Sequence, residues 1–105
     1  MDPFHVHRFG NITSFDHGHT HRMFGSSGPE IPSGGSHVHE YQGFTTLDDG
    51  HTHFFHGISG PSVPLLRGGH THQYTGMTSV NRQHQHHYSA LMDYAEHSRL
   101  FKHFY

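Results

Sequence analysis

The sequence contains no cysteine and no tryptophan, so neither a disulfide framework nor a thiolate metal site can hold this chain together. It is also short of the usual building material of a core. Hydrophobic residues make up 30% and charged residues 13% of its 105 positions, both below the proportions typical of globular chains. Small domains bury only about 60% of their unfolded surface, so a chain this poor in aliphatic side chains needs another source of stability. No apolar run approaches the ~20 residues of a membrane span, and no cationic segment followed by an apolar stretch opens the chain. The six Lys and Arg residues are scattered, so no basic stripe is available to neutralise a row of phosphates. These absences argue against a membrane span and a nucleic-acid partner. They make the cytoplasm the default residence, or a cell surface for a protein released as a filament.

What the chain has instead is histidine, seventeen of them. That abundance makes metal ligation the first candidate for the missing stabilisation. The formal charge is −2 with every imidazole neutral, and protonating all seventeen carries it to +15, so acid is expected to be disruptive.

Twelve of these histidines fall in a repeat. His5-Val6-His7 recurs as His37-Val38-His39 and His70-Thr71-His72, at offsets of 32 and 33 residues. His19-Thr20-His21 recurs as His51-Thr52-His53 and His84-Gln85-His86, at the same offsets. Between the pairs, Gly10, Gly43 and Gly76 align, followed by Thr13, Thr45 and Thr78 with the first copy one residue longer. After the second pair, Gly28-Pro29 with Ile31-Pro32 matches Gly60-Pro61 with Val63-Pro64, and a double Gly closes each copy at Gly34-Gly35 and Gly68-Gly69.

The residues around each pair are β-branched or aromatic and are bounded by Gly and Pro, which reads as a strand. Turn formers precede the second pairs at Asp16 to Gly18, at Asp48 to Gly50 and at Asn81, so each copy is expected to be a β-hairpin-like unit. The Pro-containing segments cannot sit in a central strand and are expected to be extended linkers. The chain is therefore read as mainly β. It comprises a His-rich domain over residues 1–88, with three tandem repeats of about 32 residues at 5–36, 37–69 and 70–88. Residues 89–105 carry no Gly or Pro. Their apolar positions Leu91, Tyr94, Ala95, Leu100, Phe101 and Phe104 approximate a helical stripe, which predicts a short C-terminal α-helix serving packing or an interface.

Residues i and i+2 of a strand project from one face, so both imidazoles of a pair can reach one ion. The expected metal ligands are His5, His7, His19, His21, His37, His39, His51, His53, His70, His72, His84 and His86. A single such pair is as easily two solvent-facing histidines on a polar strand. Six pairs in register, with Val, Thr or Gln drifting between them, favour ligation. The 14 residues separating the pairs of one copy suggest that the two lie side by side in a hairpin, giving one imidazole cluster per copy. Imidazole suits borderline divalent ions, and the expected order is copper, zinc, nickel. His17, His56, His87, His97 and His103 lie outside the register, with His56 and His87 the best placed for additional ligation. Phe9, Tyr41 and Tyr74 stand two residues beyond a pair and share its face, where packing beside the imidazoles is their expected role.

The recurrent His-Val-His-Glu and Gly-His-Thr-His segments, with their Gly-Pro and double-Gly spacers over about residues 5–88, resemble the YmaF-like family of small His-rich bacterial proteins. The resemblance implies His-rich repeats and no particular reaction. A weaker likeness, of Gly35 to Glu40 to the His-x-His of cupin metal sites, departs from that pattern because Glu40 adjoins the pair and the pair occurs six times.

Three function classes are consistent with this reading. The favoured one is a structural metalloprotein whose ions join repeats and subunits into a homo-oligomer or filament. The second is a metal buffer or carrier for copper, zinc or nickel. A metalloenzyme is disfavoured, because the acidic residues Glu30, Glu40, Asp48 and Asp49 sit singly or in turns and linkers rather than beside an open coordination position. No small-molecule substrate is evident.

Overall fold

The computed structural model describes residues 5–66, 68–93, 95 and 96. Among these the chain forms strands β1 (Val6–Ile12), β2 (Arg22–Ser26), β3 (Glu30–Ser33), β4 (Ser36–Phe44), β5 (Phe54–Ile58), β6 (Ser62–Pro64), β7 (His70–Met77), β8 (His87–Leu91) and β9 (Ala95–Glu96). They pair antiparallel in three sheets ordered β2-β1-β9, β3-β4-β5 and β6-β7-β8. A first His pair lies on the long middle strand of each sheet, or at its entry in the case of His5. The shorter hairpin partner follows the second pair.

The Pro-containing segments are extended, as their composition requires, but they do more than connect. Each adds an edge strand to the next copy's sheet: Glu30 lies opposite His39, and Ser62 opposite His72. An edge position accommodates Pro32 and Pro64, which have no amide to donate. The same place on β1 is taken by β9, with Ala95 opposite His7. Every sheet thus contains chain from two successive segments, and the last segment returns to the first. Backbone hydrogen bonds from Asp93 N to the Arg8 carbonyl and from Ser14 N to the His87 carbonyl, both 2.8 Å, fasten this closure. With β2 packed on β4, β5 on β7 and β8 on β1, the sheets form a ring about a pseudo-threefold axis.

Strand alternation fills that axis in layers. Phe9, Tyr41 and Tyr74 point inward from the three middle strands and pack edge to face, with ring centroids 5.3–5.9 Å apart. Met23, Phe55 and Tyr88 form the next layer from the partner strands, and all six side chains are buried. Tyr88 and Tyr41 satisfy each other's hydroxyls at 2.8 Å, while the Tyr74 hydroxyl donates to Asn11 Oδ1. This small aromatic core consumes most of the large inward-facing apolar side chains. Others, such as Ile12, Phe24 and Phe44, occupy the alternate positions and are exposed.

The register corrects one alignment. Gly43 lies opposite Phe55, Gly76 opposite Tyr88 and Asn11 opposite Met23. Asn11 rather than Gly10 therefore occupies the first copy's equivalent of Gly43 and Gly76. Glycine is required at Gly43, because a Cβ there would stand 2.9 Å from Phe55 Cζ. In the first copy Met23 replaces the ring and makes room for Asn11.

The described part of the C-terminal segment is strand and not helix. Ser89 to Leu91 complete β8, and Ala95 and Glu96 form β9. Burial there follows the strand period of two and not the helical stripe, since Tyr88 and Met92 are buried while Ser89 and Leu91, the first residue of the expected stripe, are exposed. The rest of the expected helix, from residue 97 onward, lies outside the described residues.

Tight turns with two positive-φ residues redirect the chain before each second pair. They are His17-Gly18 (53° and 84°), Asp49-Gly50 (52° and 79°) and Arg82-Gln83 (55° and 68°). Glycine meets the second position at little steric cost in two copies, and Gln83 carries a Cβ there in the third. Replacing exposed Gln83 with Gly should raise stability by about 1 kcal/mol, read as an increase in the thermal midpoint. A lowered midpoint would contradict this account of the turn.

Candidate metal centres

All twelve histidines of the repeat converge, in two groups of six. His5, His7, His37, His39, His70 and His72 form the first centre. Ring contacts join His19, His21, His51, His53, His84 and His86 into the second. Each centre takes one pair from every copy, so the expectation of one cluster per copy is wrong. The two pairs of a copy are separated by a middle strand such as the seven-residue β1, about 24 Å of extended chain. They therefore face opposite ends of the axis, with the aromatic layers between them. Ring closure, not the hairpin, brings six imidazoles together.

The first pairs use strand alternation as expected, and both rings of a pair point to one focus. The second pairs do so without being in regular strands, since each occupies the extended stretch between a tight turn and β2, β5 or β8.

Hydrogen bonding fixes which ring nitrogen faces the focus. In the first centre, the Nδ1 atoms of His7, His39 and His72 lie 2.7–2.9 Å from the carbonyl oxygens of Asp93, Gly28 and Gly60. In the second, the Nδ1 atoms of His21, His53 and His86 lie 2.9–3.0 Å from those of Thr46, Ser79 and Ser14. A carbonyl can only accept, so Nδ1 carries the proton and Nε2 presents a lone pair. Five of these bonds cross to a neighbouring copy, and that of His7 crosses to the segment that follows the third. Buried hydroxyls support the same residues from the backbone side: Thr13, Thr45 and Thr78 accept from the amides of His21, His53 and His86, and Ser27 and Ser59 from those of His7 and His39, all at 3.0 Å. The sequence repeat aligns the threonines, and Ser27 with Ser59, without giving any of them this task.

The arrangement of the rings is octahedral. In the first centre every ring packs edge to face on its neighbours, leaving His5 across from His72, His7 across from His37 and His39 across from His70. In the second centre the opposed rings are His19 and His53, His21 and His84, and His51 and His86. The shortest edges, four in the first centre and three in the second, put Nε2 atoms 3.1–3.2 Å apart. Dividing such an octahedral edge by √2 places the nitrogens about 2.2 Å from the centre, slightly beyond the 2.0–2.1 Å of a zinc–imidazole bond. Inward lone pairs at this separation repel unless a cation lies between them. Two of them, His39 Nε2 and His86 Nε2, are buried and accept no hydrogen bond among the described residues. The donor set of each centre could therefore hold a metal ion.

Burial is the main reason these imidazoles resist protonation, with His7 lowered to about 3 and His39 and His70 to about 4, their histidine neighbours adding repulsion. His37, His53, His72 and His86 are lowered for the same leading reason.

The histidines outside the register do not join either focus where the structure describes them. His56 and His87 are exposed, and His56 Nε2 instead meets Glu40 at 3.4 Å. His17 is exposed and stacks on His84 with ring centroids 4.6 Å apart. His97 and His103 lie outside the described residues. Phe9, Tyr41 and Tyr74 have the packing role expected of them, and burial raises the Tyr41 and Tyr74 hydroxyls above the ordinary phenol range.

Among comparisons with known proteins, the model of the YmaF family, described as spore germination protein GerY/YamF, matches residues 3–92. No curated protein and no solved structure matches the chain.

Metal-free protein should lose stability in weak acid. Unfolded histidine titrates near 6.5, whereas the buried rings stay neutral down to about 3 or 4. The unfolded state therefore binds more protons throughout that window, and stability falls as pH drops below 6.5. Thermal midpoints recorded from pH 8 to pH 4.5 should be level at first and then decline. A midpoint unchanged across pH 6.5 would show that the rings are not held neutral by burial.

Proposed function

The chain belongs to the YmaF family, and we propose that it is a structural metalloprotein in which two octahedral hexahistidine centres, each holding one divalent transition-metal ion, lock the three copies into a closed ring. The observation that carries this reading is the convergence of the paired imidazoles on two foci, where the shortest Nε2 edges are 3.1–3.2 Å. Ion binding to a site assembled only by folding is folding free energy. It stabilises the contacts between copies that the thin aromatic core leaves weak.

The geometry refines the choice of metal. Copper leads on intrinsic affinity for nitrogen but favours tetragonal sites, and structural zinc is almost always tetrahedral. Six imidazoles at about 2.2 Å suit nickel(II) or iron(II) better, so nickel moves ahead of copper and zinc in the proposed order. A catalytic centre keeps a position open for water or substrate. Here imidazole fills all six, which argues against a metalloenzyme. The surface groove of about 620 Å³ lined by Thr75, Met77, His87 and Tyr88 contains no carboxylate to act as acid or base. A buffer is also disfavoured, since exchange from a closed centre requires the ring to open.

Self-association is a separate part of the proposal. Each centre draws all its ligands from one chain, so ions need not bridge subunits. A homo-oligomer would instead use apolar residues exposed at equivalent places in the copies, Phe15, Leu47 and Val80 among them. The family's description links this chain to spore germination, where a metal-hardened protein of this kind would serve.

Loading with nickel(II) or iron(II), removal of excess and elemental analysis should give two ions per chain. H37A/H39A should retain one, and H56A/H87A should retain two. Equal losses in both double variants would overturn the assignment.

A further inference from the structure

The two centres are not equivalent among the described residues, because the carboxylate behind the first is buried and those behind the second are open to solvent. Glu30 begins β3 opposite His39, and the matching places opposite His72 and His7 are held by Ser62 and Ala95. Its side chain is 5% exposed, with Oε2 2.9 Å from His5 Nδ1 and Oε1 3.7 Å from His37 Nδ1. Both histidines turn Nε2 toward the first centre. The carboxylate thus stands behind two adjacent ligands, beside their outer nitrogens, and its buried Oε2 has no hydrogen-bond partner among the described residues.

The second centre has carboxylates too, but in another setting. Asp48 Oδ2 lies 3.4 Å from His21 Nδ1, and Asp16 Oδ2 lies 3.5 Å from His86 Nδ1, with side chains 42% and 36% exposed. His19 Nδ1 meets Asp49 at 3.5 Å, and that side chain is 66% exposed. Solvent and salt screen such charges, whereas a buried charge acts on a nearby cation through a lower dielectric. A carboxylate on the outer nitrogen of a ligand imidazole also makes its inner nitrogen more basic.

We propose that Glu30 makes the first centre the tighter of the two, so that it fills first and empties last. This rests on the metal-binding reading above and assigns an order to its sites. The negative charge that would be costly to bury alone is offset by the ion, and the affinity of the ion rises in return.

The test is calorimetric titration of the metal-free full chain with cobalt(II), which accepts octahedral nitrogen and reports through hyperfine-shifted imidazole N–H signals in proton NMR. The wild type should show two classes of site, and H37A/H39A should abolish the tighter class. Glu30→Gln should weaken that class by about 10- to 100-fold, leave the other unchanged, and shift the N–H signals of His5 and His37 alone. Glu30→Asp, which keeps the charge, should recover part of the loss. Asp48→Asn should change only the weaker class, by less than about threefold. A Glu30→Gln protein with the tight class intact, or with both classes weakened equally, would overturn the inference while leaving two metal centres in place. A wild type that binds no cobalt would instead overturn the metal reading itself.

Discussion

The hydrogen bond from a buried imidazole Nδ1 to a backbone carbonyl of a neighbouring segment is the contact on which the rest of the molecule depends. It occurs six times, from His7, His39 and His72 at one end and from His21, His53 and His86 at the other. Each bond fixes a tautomer, aims Nε2 at the axis and ties two segments together. Orientation of the ligands and closure of the ring are thus one interaction. A bound ion would then meet nitrogens whose position is set by the fold, with little ordering left to do on binding.

This explains how a chain with so little apolar material is organised. Its inward-facing positions along the axis run from imidazole through two aromatic or thioether layers to imidazole again, and the layers are only three side chains wide. Such a core buries little surface, and the histidines at either end are polar groups that burial alone would destabilise. Carbonyl acceptors satisfy Nδ1, and cations would satisfy Nε2. Without ions, the inward lone pairs oppose one another while the desolvated rings resist protonation. On the proposed reading the metal-free ring would be the weaker form, and neutral imidazole links its fate to pH.

Much of this was legible in the sequence because a period of two is a local property. His37-Val38-His39, followed two residues on by Tyr41, gives the inward face of β4 directly, and the turn formers at Asp48 to Gly50 give the hairpin. What could not be read locally is which segments share a sheet. The Gly-Pro linkers were legible as extended chain, but their pairing with the next copy's middle strand, and that of Ala95 with His7, depends on the ring closing. The same non-local step separates the two pairs of each copy into different centres. The helix expected over 89–105 rested on a stripe beginning at Leu91, and Leu91 lies on the exposed face of β8. Glu30, a lone acid in a linker by sequence, acquires its place behind His5 and His37 only when β3 joins β4.

On the proposed reading, an ion at each end of the axis would make the copies mutually dependent. The most direct measurement is X-ray absorption at the metal edge of protein loaded with nickel(II) or iron(II). The account predicts a first shell of six imidazole nitrogens at about 2.2 Å, with the multiple-scattering signature of coordinated rings and no open water position. A four-coordinate shell, or one dominated by water and carboxylate oxygen, would contradict it.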